Sequence, residues 1–287
     1  MPLDAAQALG AAPRVAEISW NDRDVRLYHL GVGAGVPPAD PAELRYTLES
    51  RLHVLPSFAT VAGGGPPGVI GALSTPGVDV DLAAVLHAGQ RLRLHRPVPA
   101  RGTATASSRV VAVHDKGRAA VLVLRTEVTD GQGPLWTCEA DVHVRGAGGW
   151  GGARGPSVRP EAPSGEPDAT VLRPVRPDQA LLYRLTGDDN PLHADPEFAR
   201  AAGFDRPVLH GLCTYGMTLK AVVDTLLGGE TNRVRAYDAR FTGVVYPGET
   251  LRVRMWNDRH EAVIRAEVGA PGRDDAPVLA AGRIAYE

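Results

Sequence analysis

Gly187-Asp188-Asp189-Asn190-Pro191-Leu192-His193 crowds carboxylates, a carboxamide and an imidazole into one short string. Asp188 and His193, five positions apart, are the pair with chemical reach. A carboxylate and an imidazole on one loop can share a water, one taking its proton while the other orients it or donates. General acid–base catalysis needs that arrangement. Pro191 pushes Asn190 towards extended geometry, so the string is a shaped loop and not a helix face. The same residues are also ordinary turn composition, and taken alone they fit either reading.

The residues that follow add a second element of chemistry. Phe204-Asp205-Arg206-Pro207-Val208-Leu209-His210-Gly211 leads into an apolar helical pattern. Glycine at that point lets a ligand approach the backbone closely. The free N–H groups and positive end of the helix then face an anion or a polarised carbonyl. An acid–base pair beside such a donor makes a coherent set for enolate-forming chemistry.

The elements that must position these groups can be read from periodicity. Asp195 caps a short helix with Pro196 at its first position, ended by Gly203. A longer helix is predicted from Gly211 to Leu227, with Leu212, Tyr215, Leu219, Val222 and Leu226 at spacings of three and four, stopped by Gly228-Gly229. The period then becomes two, giving strands at Tyr237–Phe241, Thr250–Trp256, Ala262–Val268 and Val278–Tyr286. One helix followed by an antiparallel meander suggests a sheet wrapped around that helix. In the first half Asp40 caps a helix whose face is marked by Leu44, Leu48 and Leu52. Strands follow at Arg91–His95, Thr103–Val113, Ala119–Thr129 and Trp136–Val144. This half lacks an equally long apolar helix and has instead the Gly- and Pro-broken stretch Gly63 to Gly77, leaving room for a ligand.

Between the halves, residues 146–169 are rich in Gly, Pro and Ser and read as a linker, separating an N-terminal domain (1–145) from a C-terminal one (170–287). The halves echo each other: Arg96 to Gly102 leads into a strand as Val244 to Gly248 does, and Ala120-Val121-Leu122-Val123 parallels Ala262-Val263-Ile264-Arg265. Such similarity would mean a duplicated domain.

Composition sets the outer bounds. The chain has 287 residues, 44% hydrophobic and 22% charged, with a formal net charge of -2. That is a globular profile with no footprint for nucleic acid or anionic lipid. No apolar run is long enough to span a bilayer, and Met1-Pro2-Leu3-Asp4 does not open a secretory signal. Cys138 and Cys213 fit a reducing compartment. The expectation is a soluble, cytoplasmic protein. No phosphate loop, zinc spacing or nucleophile elbow is present, so neither cofactor nor metal is expected.

The run YRLTGDDNPLHADPEFARAAGFDRPVLHGLCTYG, from Tyr183 to Gly216, resembles the signature of the MaoC-like, (R)-specific enoyl-CoA hydratases, also called hydratase 2. Its G-D-x-N-P-L-H core is matched without departure. Arg26 to Gly33, Val54 to Ala59, Asp115-Lys116-Gly117, Gly148 to Gly152, Ala239-Arg240-Phe241 and Val245 to Thr250 resemble the two-domain version, which includes the hydratase unit of peroxisomal multifunctional enzyme type 2. The resemblance implies an α+β double hot-dog fold, two antiparallel sheets with a long central helix in the C-terminal half. It implies that the N-terminal half accommodates a fatty acyl chain. The implied reaction is reversible addition of water to a trans-2-enoyl-CoA, giving the (3R)-3-hydroxyacyl-CoA, with an acyl-CoA thioester as partner. Carried over by position, Asp188 and His193 are the catalytic pair, Asn190 supports their loop, and Gly211 gives its N–H to the thioester oxygen.

Other positions carry weaker implications. Lys116 stands in a hairpin turn, in a chain whose only other lysine is Lys220, and the family uses this position near the CoA phosphates. His87 matches a family His-Gly pair that contacts substrate, but Ala88 follows it here. Phe241 matches a substrate contact, although an aromatic on a strand is usually core. His210 is expected to position the turn before Gly211, and Cys213 to pack. Alternative functions are a dehydratase acting on carrier-protein-bound chains, a non-catalytic acyl-CoA binding domain and, least compatible with the motif, a thioesterase. A monomer and a homodimer are both compatible with the sequence.

Overall fold

The computed structural model describes residues 3–63, 75–80, 84–156, 163–270 and 272–287. Most of the Gly63 to Gly77 stretch and part of the expected linker lie outside them. Ten strands form one antiparallel sheet: β1 (Arg14–Trp20), β2 (Val85–Leu94), β3 (Gly102–Asp115), β4 (Ala119–Asp130), β5 (Gly133–Arg145), β6 (Ala169–Pro174), β7 (Val234–Phe241), β8 (Thr250–Asp258), β9 (Glu261–Gly269) and β10 (Ala276–Tyr286). Their order is β1-β3-β4-β5-β2-β7-β10-β9-β8-β6. The two expected sheets therefore meet edge to edge, β2 against β7, with Gly89 opposite Arg240 and Arg91 opposite Asp238. Arg93 and Asp238 form an ion pair across this seam. Outward from the seam both halves follow the same path. Ala120–Val123 on β4 and Ala262–Arg265 on β9 occupy equivalent strands, third from the seam on either side.

Alternation makes the strands. On β8, Leu251, Val253 and Met255 are buried while their neighbours are half-exposed, the signature of a sheet with one covered face. The helices are α1 (Ala5–Gly10), α2 (Asp22–Gly31), α3 (Pro41–Leu44), α4 (Gln179–Tyr183), α5 (Pro196–Ala201) and α6 (Gly211–Leu226). Of the 16 residues of α6, the 12 from Leu212 to Val223 are buried, so this helix is covered all round and not on one face. It packs on β6, β7 and β8 and, on its other side, against residues of the N-terminal half. Gly216 permits the closest approach: a Cβ there would lie 2.6 Å from Val32 Cγ1.

One expectation is corrected. The helix capped by Asp40 ends at Leu44 and does not run to Leu52. Its next carbonyls are diverted: Tyr46 O accepts a hydrogen bond from His29 Nδ1 at 2.7 Å, and Arg45 O accepts one from the His53 N–H. Continuation of the helix would need those carbonyls for its own ladder.

A buried ionic cluster ties the halves together. Lys220 Nζ, on α6, lies 2.7 Å from Glu43 Oε1 and 2.8 Å from Asp224 Oδ2, with the Tyr46 ring 4.7 Å away. Tyr46 Oη donates to Asp224 Oδ1, and Arg173 of β6 reaches Asp224 Oδ2. Two cations and two carboxylates balance, Lys220 and Glu43 buried and Arg173 and Asp224 partly exposed. Lys220→Ala is expected to destabilise the protein by about 3–5 kcal/mol, because Glu43 is left buried without its partner. Replacing the pair together, Lys220→Met with Glu43→Gln, should restore most of that loss. Chemical denaturation of the three proteins checks it, and a loss under about 1 kcal/mol in Lys220→Ala would refute it.

Candidate active site

The loop before α5 is built from turns that its own side chains close. Gly187 ends a short 3₁₀ turn at φ +114°, a region that glycine enters without strain. Asp188 Oδ1 accepts the Asn190 N–H at 3.2 Å, and Asn190 Oδ1 accepts the Leu192 N–H at 3.0 Å. Both side chains thus hold the turn that presents His193. His193 Nδ1 lies 2.8 Å from the Val208 carbonyl oxygen. A carbonyl only accepts, so Nδ1 carries the proton and Nε2 is left with a free lone pair.

His210, expected to be structural, sits within the cluster. It precedes α6 as its N-cap residue, and its Nε2 donates to the Asp188 carbonyl oxygen at 3.2 Å. Its ring stacks on His193 with centroids 3.7 Å apart and planes 27° from parallel. Donor atoms of Asp188, His193 and His210 all fall within 4.8 Å of one another. In composition this is a metal-ligand set, but the lone pairs of two stacked imidazoles lie in separate, nearly parallel planes.

The other expected residues divide. Phe241, at the end of β7, packs over Gly211: a Cβ on that glycine would meet the Phe241 ring at 3.4 Å. His87, on β2, stands edge-on to Phe241 with centroids 5.0 Å apart, and the Asp188 charge reaches it. The Gly211 N–H, first in α6, has no hydrogen-bond acceptor among the described residues. Lys116 lies apart, in the β3–β4 turn beyond β5 and β4, with Nζ bonded to the Pro156 carbonyl at 3.0 Å. Beside it Asp115 accepts N–H groups from Gly117, Gly149 and Gly151, each at 2.8 Å, which holds its carboxyl at about 2 and pins the start of the expected linker.

From His87 and Leu212 a narrow cavity of about 50 Å³, partly open to solvent, extends under the N-terminal half of the sheet. Its floor is formed by inward side chains of β4 and β5. Its cover is the segment Ala59 to Ala62, together with the first turn of α6. It is a mostly apolar passage, one end of which is lined by Leu212, next to Gly211, and by His87.

Burial dominates the titration of this region. It lowers His193 below the ordinary imidazole value of about 6.5, against the opposing pull of Asp188. It lowers His87 and the interior His29 to about 4, and His210, which also feels His193, to about 2. These bases are neutral in the folded protein and take up protons on unfolding. Their contribution to stability is therefore complete above the unfolded value and is lost as pH falls through about 6.5. Between pH 6.5 and 5 each fully buried imidazole should remove roughly 2 kcal/mol. Denaturation midpoints at pH 7.5 and 5 measure this, and equal midpoints would contradict it.

Comparison with known proteins sets this geometry in context. Residues 18–146 match the family model described as the MFE-2 hydratase 2 N-terminal domain, and residues 159–272 match the MaoC like domain. Over 280 residues the chain is 50% identical to the enoyl-CoA hydratase ChsH3 of Mycobacterium tuberculosis, covering 97% of both chains. The chain belongs to the MaoC-like hydratase 2 family. Another member of this family, the peroxisomal enoyl-CoA hydratase 2 of Arabidopsis thaliana, is 36% identical over 267 residues, 87% of this chain and 86% of that one. The crystal structure of a MaoC-like dehydratase from Phytophthora capsici superposes with a TM-score of 0.87 at 27% identity, over 99% of this chain and 98% of that one. A Mycobacterium tuberculosis protein described as having a double hot-dog fold matches with a TM-score of 0.58 at 16% identity, over 99% and 98% of the two chains, a likeness of fold alone. The ten-stranded sheet of this MaoC-like chain is a double hot-dog. Among the described residues no helix is long and apolar enough to cross a membrane.

Proposed function

We propose that this protein catalyses the reversible addition of water to a trans-2-enoyl-CoA, giving the (3R)-3-hydroxyacyl-CoA, with Asp188 and His193 acting on the water. The observation that carries the proposal is the meeting of three features. The Asp188 carboxylate and a ring nitrogen of His193 lie within 4.8 Å. The unpaired Gly211 N–H begins a 16-residue helix behind them. A mostly apolar cavity is lined at one end by Leu212, next to Gly211, and by His87, which stands against Phe241.

In the forward direction water held between Asp188 and the neutral His193 adds its hydroxyl to C3. The pair takes the remaining proton and delivers it to C2, so one water is added and no electrons change hands. Charge gathers meanwhile on the thioester oxygen, where the Gly211 N–H and the positive end of α6 stabilise it. Phe241 and His87 border the reacting carbons. The acyl tail runs into the N-terminal half, residues 1–145, joined through 146–169 to the catalytic half, residues 170–287. The lowered His193 value supports a histidine that is neutral at working pH. The free thiols of Cys138 and Cys213 support a reducing, cytoplasmic setting.

The test is purified protein with crotonyl-CoA, following the loss of enoyl absorbance and assigning the chirality of the product. Formation of the (3R) alcohol is expected. An inert enoyl-CoA or a (3S) product would overturn the reading.

A further inference from the structure

The cavity beside Gly211 has a depth that the strand register measures. Ala140, Cys138 and Trp136 of β5 all line it. Gln90 and Leu124 flank Ala140 at the His87 end, and Val128 flanks Trp136 at the other. An antiparallel strand rises about 3.4 Å per residue, so Ala140 and Trp136 lie about 14 Å apart along the passage. Between the His87 end and Trp136 the lining includes the small residues Ala140, Cys138, Ala59 and Ala62, with Thr126 beside Cys138. At the far end the width changes abruptly to an indole.

That indole is held in place. Trp136 is 1% exposed, and it meets Trp20 edge to face at 5.4 Å. Trp20 is in turn fixed by its Nε1–H, which donates to the Pro99 carbonyl at 2.8 Å. A large aromatic locked by a second one is a rigid stop, since core side chains cannot shift without opening voids.

We propose that Trp136 sets the upper limit on acyl chain length, admitting tails of intermediate length and excluding long ones. This inference rests on the hydratase reading. Its test is the profile of kcat/KM over crotonyl-, trans-2-decenoyl- and trans-2-hexadecenoyl-CoA in three proteins. Relative to wild type, Trp136→Ala should raise the hexadecenoyl-to-decenoyl ratio by about tenfold or more. Cys138→Leu, which narrows the passage halfway down, should lower the decenoyl-to-crotonyl ratio by a similar factor. Should Trp136→Ala fail to fold, the Cys138→Leu profile decides. Unchanged ratios in the folded variants overturn this inference alone. A wild-type protein inert towards all three thioesters overturns the hydratase reading and this inference with it.

Discussion

Asp188→Asn lowers kcat for hydration of crotonyl-CoA by about 100- to 10,000-fold, the range that a positioned acid–base group supplies. Asparagine keeps an oxygen where Asp188 Oδ1 accepts the Asn190 N–H, so the loop keeps its closing bond while the carboxylate charge is lost. His193→Asn is the matching change. Its amide nitrogen can still donate to the Val208 carbonyl, as Nδ1 does now, but nothing stands in for Nε2. Residues that act on one water are not additive, so the double variant should be little worse than either single one. Circular dichroism separates loss of chemistry from loss of fold. Turnover within about tenfold of wild type in either well-folded variant would remove that residue from the mechanism.

Gly211→Pro is the second large effect, about 100- to 1000-fold in kcat, the usual result of deleting one oxyanion donor. A backbone N–H can be removed by mutation only through proline, and this position tolerates it. Gly211 is the first residue of α6, where proline is favoured, and His210 before it already has φ -57° and ψ 135°, which a following proline demands. Gly211→Ala is the control, since it keeps the N–H and adds a methyl 3.4 Å from the Phe241 ring. A much smaller loss is expected there. Equal losses in the two variants would mean that crowding, and not the missing donor, is responsible.

What could be read from the residues follows how local each cause is. The strands β7 to β10 were legible because their alternation is written into consecutive positions, and α6 because Leu212 to Leu226 repeats at spacings of three and four. Asp188, Asn190 and His193 were legible because one short loop carries all three. The premature end of α3 was not, since it depends on His29 reaching the Tyr46 carbonyl from another helix. α2 went unread although Asn21 and Asp24 form a capping box at its start: its buried face includes Tyr28 and His29, which do not stand out as a core stripe. β6 is only six residues long and lies at the sheet's edge, which leaves little pattern to find. His210 was taken for a turn residue because its stacking on His193 joins segments that no spacing rule connects. The cavity is equally non-local, being made by the register of β2, β4 and β5 against a separate loop.

The β2–β7 seam bears on how this enzyme can be taken apart. Separating the halves would uncover two rows of unsatisfied backbone groups, Gly89 to Arg93 on one strand and Ala236 to Arg240 on the other, the kind of margin on which chains stick to one another. Neither piece would then be a small working catalyst awaiting its partner. The proposed reacting groups, Asp188 and His193, and the proposed tail passage lie on opposite sides of that join, so the two halves of the sheet together are the smallest unit in which both exist.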